Sequence, residues 1–295
     1  MRDLIAFGRT LGTSGGWSLP GFDLDAFVAA TLGEDLGEAG DITSAAVIPP
    51  DARFTGVMDS RDAIVVAGLP IAEAFFRALD TDILIERLVE DGARVPAGAD
   101  LLRLTGNARA MLTAERSALN TVQHLSGIAT MTRSYVDKLL GTGATLLDTR
   151  KTLPGLRVLE KYATRMGGAQ NHRMGLWDAA MIKDNHVAVA GDVAEAVRRA
   201  RGAGIVEIIV EVDRVDQIEP ALAAGATRLL LDNMEPPTLR GAVTLVGGRV
   251  PTEASGGVRL ETIRAIGDTG VTFVSVGRLT QSAPAADIGL DFAPA

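Results

Sequence analysis

The sequence predicts an α/β protein whose larger part is an incomplete parallel α/β barrel of about six strands. Short apolar runs recur between residues 145 and 276, helix-compatible stretches separate most of them, and a polar, charged or glycine group stands at the C-terminal end of each. Parallel strands need a crossover of about a dozen residues, usually a helix. In a parallel barrel the carboxyl ends of the strands meet at one mouth, where ligands bind, and six runs fall short of the usual eight.

Taken in order, Asp23 to Leu36 has helical spacing and Gly37 to Thr43 is turn-rich. Arg53 to Ala67 and Ile83 to Leu104 read as strands and hairpins, punctuated by Asp91-Gly92 and Pro96-Ala97-Gly98. Residues 89–106 resemble the paired strands of a biotinyl or lipoyl carrier, yet no lysine precedes Lys138, so the segment is read as structural. Thr113 to Leu140 is a long helical region with Leu119, Val122, Leu125, Ile128 and Met131 at apolar spacing and Gly127 as a candidate break. Strands follow at Thr145 to Leu147, Ala179 to Ile182, Val206 to Val212, Arg228 to Leu231, Val250 to Ala254 and Val271 to Val276. Helix-compatible stretches lie at Val193 to Arg201, Val215 to Ala224 and Leu260 to Ile266. The strand ends read Asp148-Thr149-Arg150-Lys151, Lys183-Asp184-Asn185-His186, Glu211 with Asp213, Asp232-Asn233, Ser255-Gly256-Gly257 and Gly277-Arg278.

At 295 residues and 47% hydrophobic, the chain can bury a full core, with one large domain and a smaller one as the natural division. No apolar run approaches the roughly 20 residues that cross a bilayer. The N-terminus reaches Gly12, Gly15 and Gly16 without a continuous apolar segment, so neither a membrane span nor a signal peptide is expected, and the default location is the cytoplasm. Zero cysteines remove disulfides, thiolate nucleophiles and Cys-ligated zinc. A net charge of −8 argues against a general nucleic-acid binder, so an anionic ligand must be met by a local basic pocket.

Such a pocket is present in the counts. Between Asp148 and Lys183, seven basic residues (Arg150, Lys151, Arg157, Lys161, Arg165, Arg173, Lys183) face three acidic ones, a local excess of four positive charges. Only four of the 29 basic residues are lysine, and three of those fall in this stretch, which suggests selection for a compact ammonium. Arg150, Lys151, His172, Arg173 and Lys183 together suit a ligand with several negative groups. Ser255-Gly256-Gly257 follows a strand and precedes a helix, an arrangement that suits a phosphate or serves as an ordinary βα turn. Gly277 would let a second backbone segment approach the same group. Glu211 and Asp232 could hold Mg²⁺ through water, stabilise a developing oxocarbenium ion, or pair with the nearby cations. His124 reads as structural and His186 as a residue that caps or orients its loop. No HExxH, P-loop, GxSxG or dinucleotide GxGxxG occurs in context.

The strings AERSALNTVQHLSGIAT, LDTRKTLPGLRVLEKYATRMGG, NHRMGLWDAAMIKDNH, LLLDNM, EASGGV and VSVGRLTQSAPAADIGLDF, together with GDITS at Gly40 to Ser44, resemble successive signatures of the quinolinate phosphoribosyltransferase family. The likeness runs in order from Phe22 to Phe292 and departs at Ala169, in a glycine run. It implies an N-terminal α/β sandwich domain at residues 1–118, rejoined by 279–295, and a barrel domain at 119–278. It implies transfer of phosphoribosyl from phosphoribosyl pyrophosphate to quinolinate with decarboxylation, a Mg²⁺ requirement, and a homodimer or higher homo-oligomer. By the same resemblance Arg150, His172, Arg173 and Lys183 would engage the quinolinate carboxylates, helped by Arg116 of a second subunit. Lys151 would face pyrophosphate or substrate, Glu211 and Asp232 the ribose and Mg²⁺, and Ser255, Gly256, Gly257 and Gly277 the 5-phosphate. Two rivals remain: a Schiff-base aldolase using Lys183, and a divergent relative that binds without turnover.

Overall fold

The computed structural model describes residues 17–294; the glycine-rich start of the chain, on which the expectation about a signal peptide rests, lies outside them. The described residues divide into two compact units, one of residues 17–130, 158–166 and 283–294, the other of residues 131–157 and 167–282. The division thus falls at 130/131 inside a helix, where the sequence reading set it at 118/119.

In the first unit, α1 (Leu24–Leu36) is capped by Asp23, whose carboxylate accepts from Ala26 N at 2.9 Å. The stretch read as a turn ends in a second short helix, α2 (Ile42–Val47), which Asp41 caps through Ser44 N at 2.9 Å. Strands β1 (Arg53–Ser60) and β2 (Ile64–Val65) follow, then a helix the sequence reading missed, α3 (Leu69–Leu79). Its cap comes from far along the chain: Asp91 accepts from Gly68 N at 2.7 Å and Leu69 N at 3.1 Å, satisfying N–H groups that no local side chain reaches. Next come β3 (Leu84–Arg87), β4 (Arg94–Val95), β5 (Ala99–Asn107) and α4 (Ala108–Leu139). Gly127 does not break α4, which runs unbroken for 32 residues. A side chain at Gly127 would overlap the carbonyl of Pro284, so glycine serves close approach here rather than a bend.

The second unit is built on six parallel strands: β6 (Thr145–Leu147), β7 (Ala180–Ile182), β8 (Ile208–Val212), β9 (Arg228–Asp232), β10 (Thr252–Ser255) and β11 (Phe273–Ser275). Between β6 and β7 the chain passes through α5 (Arg157–Met166), most of which packs with the first unit. The sheet order is β6-β11-β10-β9-β8-β7, so β6 and β7 are the two edges of an incomplete barrel. Helices α6 (Asp184–Ala190), α7 (Val193–Gly202), α8 (Ile218–Ala224) with a preceding 3₁₀ turn, α9 (Pro236–Val246) and α10 (Ile263–Gly267) occupy the crossovers, and α11 (Arg278–Gln281) follows β11. Leu229, Leu231, Ala254 and Val274 pack outward against helix residues such as Val197, Ala221, Leu239 and Ile263. Ala179, Ile209 and Leu230 form a separate small cluster with Met181.

The last strand, β12 (Ile288–Pro294), pairs antiparallel with β1 and completes a four-stranded sheet ordered β12-β1-β5-β3 in the first unit. Phe27 of α1 meets Phe75 of α3 at 5.9 Å between ring centroids. These helices and this sheet form the expected N-terminal α/β unit. No helix among the described residues is long and apolar enough to cross a membrane.

Candidate active site

Parallel pairing aligns the strand ends, with Ser255 opposite Asp232, Ser275 opposite Leu147, and Val212 opposite Leu231. Loops leaving those ends surround a cavity of about 800 Å³. Its lining includes Arg150, Lys151, His172, Arg173, Lys183, Glu211, Asp232, Ser255, Gly256, Gly257 and Gly277, which are all the sequence-predicted site residues except Arg116. Residues separated by up to 127 positions thereby share one wall.

Hydrogen bonds fix the cationic wall. Asp148, fully buried beyond β6, accepts from His172 N at 2.8 Å and Asn171 Nδ2 at 2.6 Å, tying the loop after Ala169 to the strand before Arg150. Thr280 Oγ1 donates to the Lys151 carbonyl at 2.7 Å, and Lys151 N donates to Thr149 Oγ1 at 3.1 Å. Arg173 is shifted down by burial and by the neighbouring charge of Arg150, although Asp178 opposes this. A guanidinium held beside a second positive charge makes a site that gains from a bound anion. Lys183 is the residue that precedes α6; His186 Nδ1 accepts from Lys183 N at 2.9 Å, as expected of a capping residue.

Two carboxylates stand beside these cations. Lys183 Nζ donates to Glu211 Oε2. Burial and the Glu211 charge push Asp232 above the usual carboxylate range, while Lys183, Asn233 and Lys151 pull the other way. Among the described residues no cluster of three or more His, Asp or Glu forms a complete protein cage for a metal. The two repelling carboxylates nevertheless fit Mg²⁺, which takes one or two protein carboxylates and leaves its other positions to water and substrate phosphates.

The glycine rim differs from expectation in one respect. No helix directly follows Ser255-Gly256-Gly257, because α10 begins only at Ile263 and has five residues, so its dipole does not account for an anion site. Gly256 and Gly257 have φ of +90° and +58°, and a side chain at Gly256 would overlap Asn233. Asn233 is itself left-handed at φ 53°, held by Asn233 N donating to Ser255 O at 2.9 Å. The turn offers backbone rather than side chain to a ligand. Gly277 caps α11, and a Cβ there would come within 2.7 Å of Lys151 Cδ.

Several residues are placed elsewhere or were missed. Lys161, counted in the basic stretch, is 1% exposed on α5 in the first unit and does not line the cavity. His124 Nε2 meets Glu160 at 2.9 Å in that unit, consistent with a structural role. Arg116 is exposed on α4 and makes no hydrogen bond or ion pair within the described residues. Arg259 and Glu253 line the cavity without having been singled out, and Asn233 and Arg278, named only as strand-end residues, line it without having been given a role. The two arginines directly follow the SGGV and VG motifs, and Glu253 interrupts an apolar strand, so each left a readable signal. A second cavity, of about 960 Å³, shares Arg150, Arg173, Met181 and Lys183 with the first and is lined by Leu176, Trp177, Ile205 and Val206. Trp177 is 80% exposed and Val206 86%.

The chain is similar to known proteins along most of its length. The family models described as Quinolinate phosphoribosyl transferase match with the N-terminal domain over residues 41–126 and the C-terminal domain over residues 128–291. The nicotinate-nucleotide pyrophosphorylase (carboxylating) of Mycobacterium leprae is 45% identical over 273 residues, covering 90% of this chain and 95% of its own. The chloroplastic enzyme of that name from Arabidopsis thaliana is 40% identical, covering 92% of this chain and 84% of its own. The solved nicotinate-nucleotide pyrophosphorylase from Francisella tularensis superposes with a TM-score of 0.88 at 39% identity, covering 92% of this chain and 96% of that one.

Proposed function

Because the chain belongs to the quinolinate phosphoribosyltransferase family, it transfers phosphoribosyl from phosphoribosyl pyrophosphate to quinolinate with decarboxylation, and we propose that the strand-end cavity is where it does so. The observation that carries this placement is the meeting of cations, paired carboxylates and open glycine turns around one space of about 800 Å³.

Quinolinate is a dianion and its partner carries several more negative charges, so the two approach each other only where cations flank both. Arg150, Arg173 and Lys183 take the pyridine carboxylates, the arginines as planar forks and the lysine as a point charge. Gly256, Gly257 and Gly277 bring backbone N–H groups to the 5-phosphate beside Ser255, with Arg259 and Arg278 adding charge. Lys151 faces the pyrophosphate. Glu211 and Asp232 lie toward the ribose and are the residues that would hold Mg²⁺, which supplies charge neutralisation to the departing pyrophosphate when bound. Held in line, the pyridine nitrogen forms a bond to the anomeric carbon as the carbon–oxygen bond to pyrophosphate breaks. The ring is then cationic, so the carboxylate on the carbon next to nitrogen leaves as CO₂, and that carbon takes a proton to give nicotinate mononucleotide. The protein orients and stabilises charge and forms no covalent bond itself.

A homodimer or a multiple of one completes the reading. The exposed apolar rim around Leu176, Trp177 and Val206 is the kind of surface that a second subunit covers, and the unspent guanidinium of Arg116 would enter a partner's site. The cytoplasm is the proposed location, where a chain without cysteine loses nothing to a reducing environment. The direct test is to incubate the purified protein with quinolinate, phosphoribosyl pyrophosphate and Mg²⁺ and follow nicotinate mononucleotide and CO₂. Binding of quinolinate without product would overturn the catalytic reading in favour of a binding protein.

A further inference from the structure

A buried polar chain beside the cavity is not used by the roles assigned above. Glu253 on β10 is 0% exposed. Its Oε2 lies 3.2 Å from His172 Nε2 and 3.5 Å from Arg228 Nη1. Arg228, on β9, stacks its guanidinium 4.7 Å from the Phe273 ring centroid and reaches Glu207 at 3.5 Å. On the far side of the imidazole, His172 Nδ1 accepts from the backbone N–H of Arg173 at 2.7 Å. A ring nitrogen that accepts carries no proton, so the neutral ring must hold its proton on Nε2 and donate it to Glu253. Both ring nitrogens are therefore engaged by protein groups. The opposite tautomer would set two donors against each other at Arg173 and a lone pair against the carboxylate at Glu253.

Resting on the functional reading above, we propose that Glu253, backed by Arg228, is a positioning residue that locks His172 as the Nε2–H tautomer and thereby fixes the backbone from which Arg173 reaches the dicarboxylate. Burial works against ionisation of Glu253, yet His172, Ser275 and Arg228 hold it below the usual carboxylate range, which keeps it an acceptor. Asp148 grips the same turn through His172 N, so the ring is clamped from its backbone and from both nitrogens. Arg173 Nη1 donates to Ala179 O at 3.1 Å, which holds the guanidinium at the other end of the residue.

The protein has only three histidines, so nitrogen-15 spectra of histidine-labelled full-length protein can be assigned by substituting His124 and His186 in turn. In the unliganded wild type, His172 is expected as the Nε2–H tautomer; a ring protonated on Nδ1 would overturn the proposal at once. Glu253→Gln preserves an acceptor and should keep both the tautomer and a KM for quinolinate within about threefold of wild type. Glu253→Leu should mix the tautomers and raise the KM for quinolinate at least tenfold, leaving the KM for phosphoribosyl pyrophosphate within about twofold. Equal rises in both KM values, or an unchanged spectrum and unchanged KM values, would defeat it. Should Glu253→Leu not fold, Arg228→Met is expected to move the His172 signals and the quinolinate KM in the same direction to a lesser degree, and no movement counts against the role. Failure of the wild type to make nicotinate mononucleotide would instead remove the functional reading, and the tautomer spectrum would judge Glu253 separately.

Discussion

Lys183, at the end of β7, donates to Glu211, at the end of the neighbouring strand β8, on the rim of the strand-end cavity. The lysine side chain is 44% exposed and the glutamate 13%, so the pair has one face in the cavity and one in the wall. A ligand carboxylate arriving there competes for an ammonium already aimed by a partly buried acid. Removing the lysine takes away a charge-assisted contact and leaves Glu211 unopposed beside Asp232. Lys183→Ala should lower kcat/KM by ~10²-fold or more, as loss of charged hydrogen bonds of about 1.5–3 kcal/mol each implies. Steady-state kinetics with quinolinate varied checks this, and a rate near wild type would remove Lys183 from the site.

Asp232 gives a prediction about stability and pH. Its carboxyl is raised by burial and by Glu211, so the folded chain binds that proton more tightly than the unfolded chain does. Stability therefore falls as pH climbs from the ordinary value of 3.8 through the raised folded value, and the loss is complete above it. Asp232→Asn should raise Tm at pH 7, with the gain shrinking as the pH is lowered toward 4, while kcat/KM falls by about 10²-fold. Calorimetry at both pH values tests the sign; a destabilised variant at pH 7 contradicts it.

Shared sites between subunits can be read from mixtures. Arg116→Ala and Arg173→Ala should each be nearly inactive alone. If each site takes Arg173 from one subunit and Arg116 from the other, refolded mixtures should recover about a quarter of wild-type activity through the intact sites of mixed dimers. No recovery, with mixed dimers demonstrated by mass spectrometry, would place Arg116 outside the site.

The glycine rim is tested by adding one methyl group. Gly256→Ala meets both a φ of +90° and contact with Asn233, and should cost about 1–3 kcal/mol in stability while raising the KM for phosphoribosyl pyrophosphate at least tenfold. Gly257→Ala has open space and should cost about 1–2 kcal/mol, from its left-handed backbone alone. Urea unfolding with kinetics on both variants separates these; equal effects would mean that the Asn233 contact does not matter.

Much of the barrel was legible because parallel strands buried on both faces are short apolar runs, and their ends carry polar residues that nothing in a core explains. Thr145–Leu147 is the same in sequence and structure, and the other five strands agree to within two residues at either end. Relations between distant residues were not legible. Helix α3 was missed because its cap, Asp91, stands 22 and 23 positions from the N–H groups it receives. Gly127 looked like a break because the carbonyl of Pro284 that demands it is far along the chain. In the site, charge and residue type revealed the cations and acids, whereas Glu253 was visible only as an oddity until His172 and Arg228 were found on either side of it.

Strand β12 has a consequence for how the protein is made. The edge of β1 that it covers is produced more than 200 residues earlier, so during synthesis that edge stays bare until residues 288–294 emerge. A bare strand edge invites pairing with another chain. The N-terminal unit is thus begun first and sealed last, and a message cut short anywhere before β12 yields a product with an open seam.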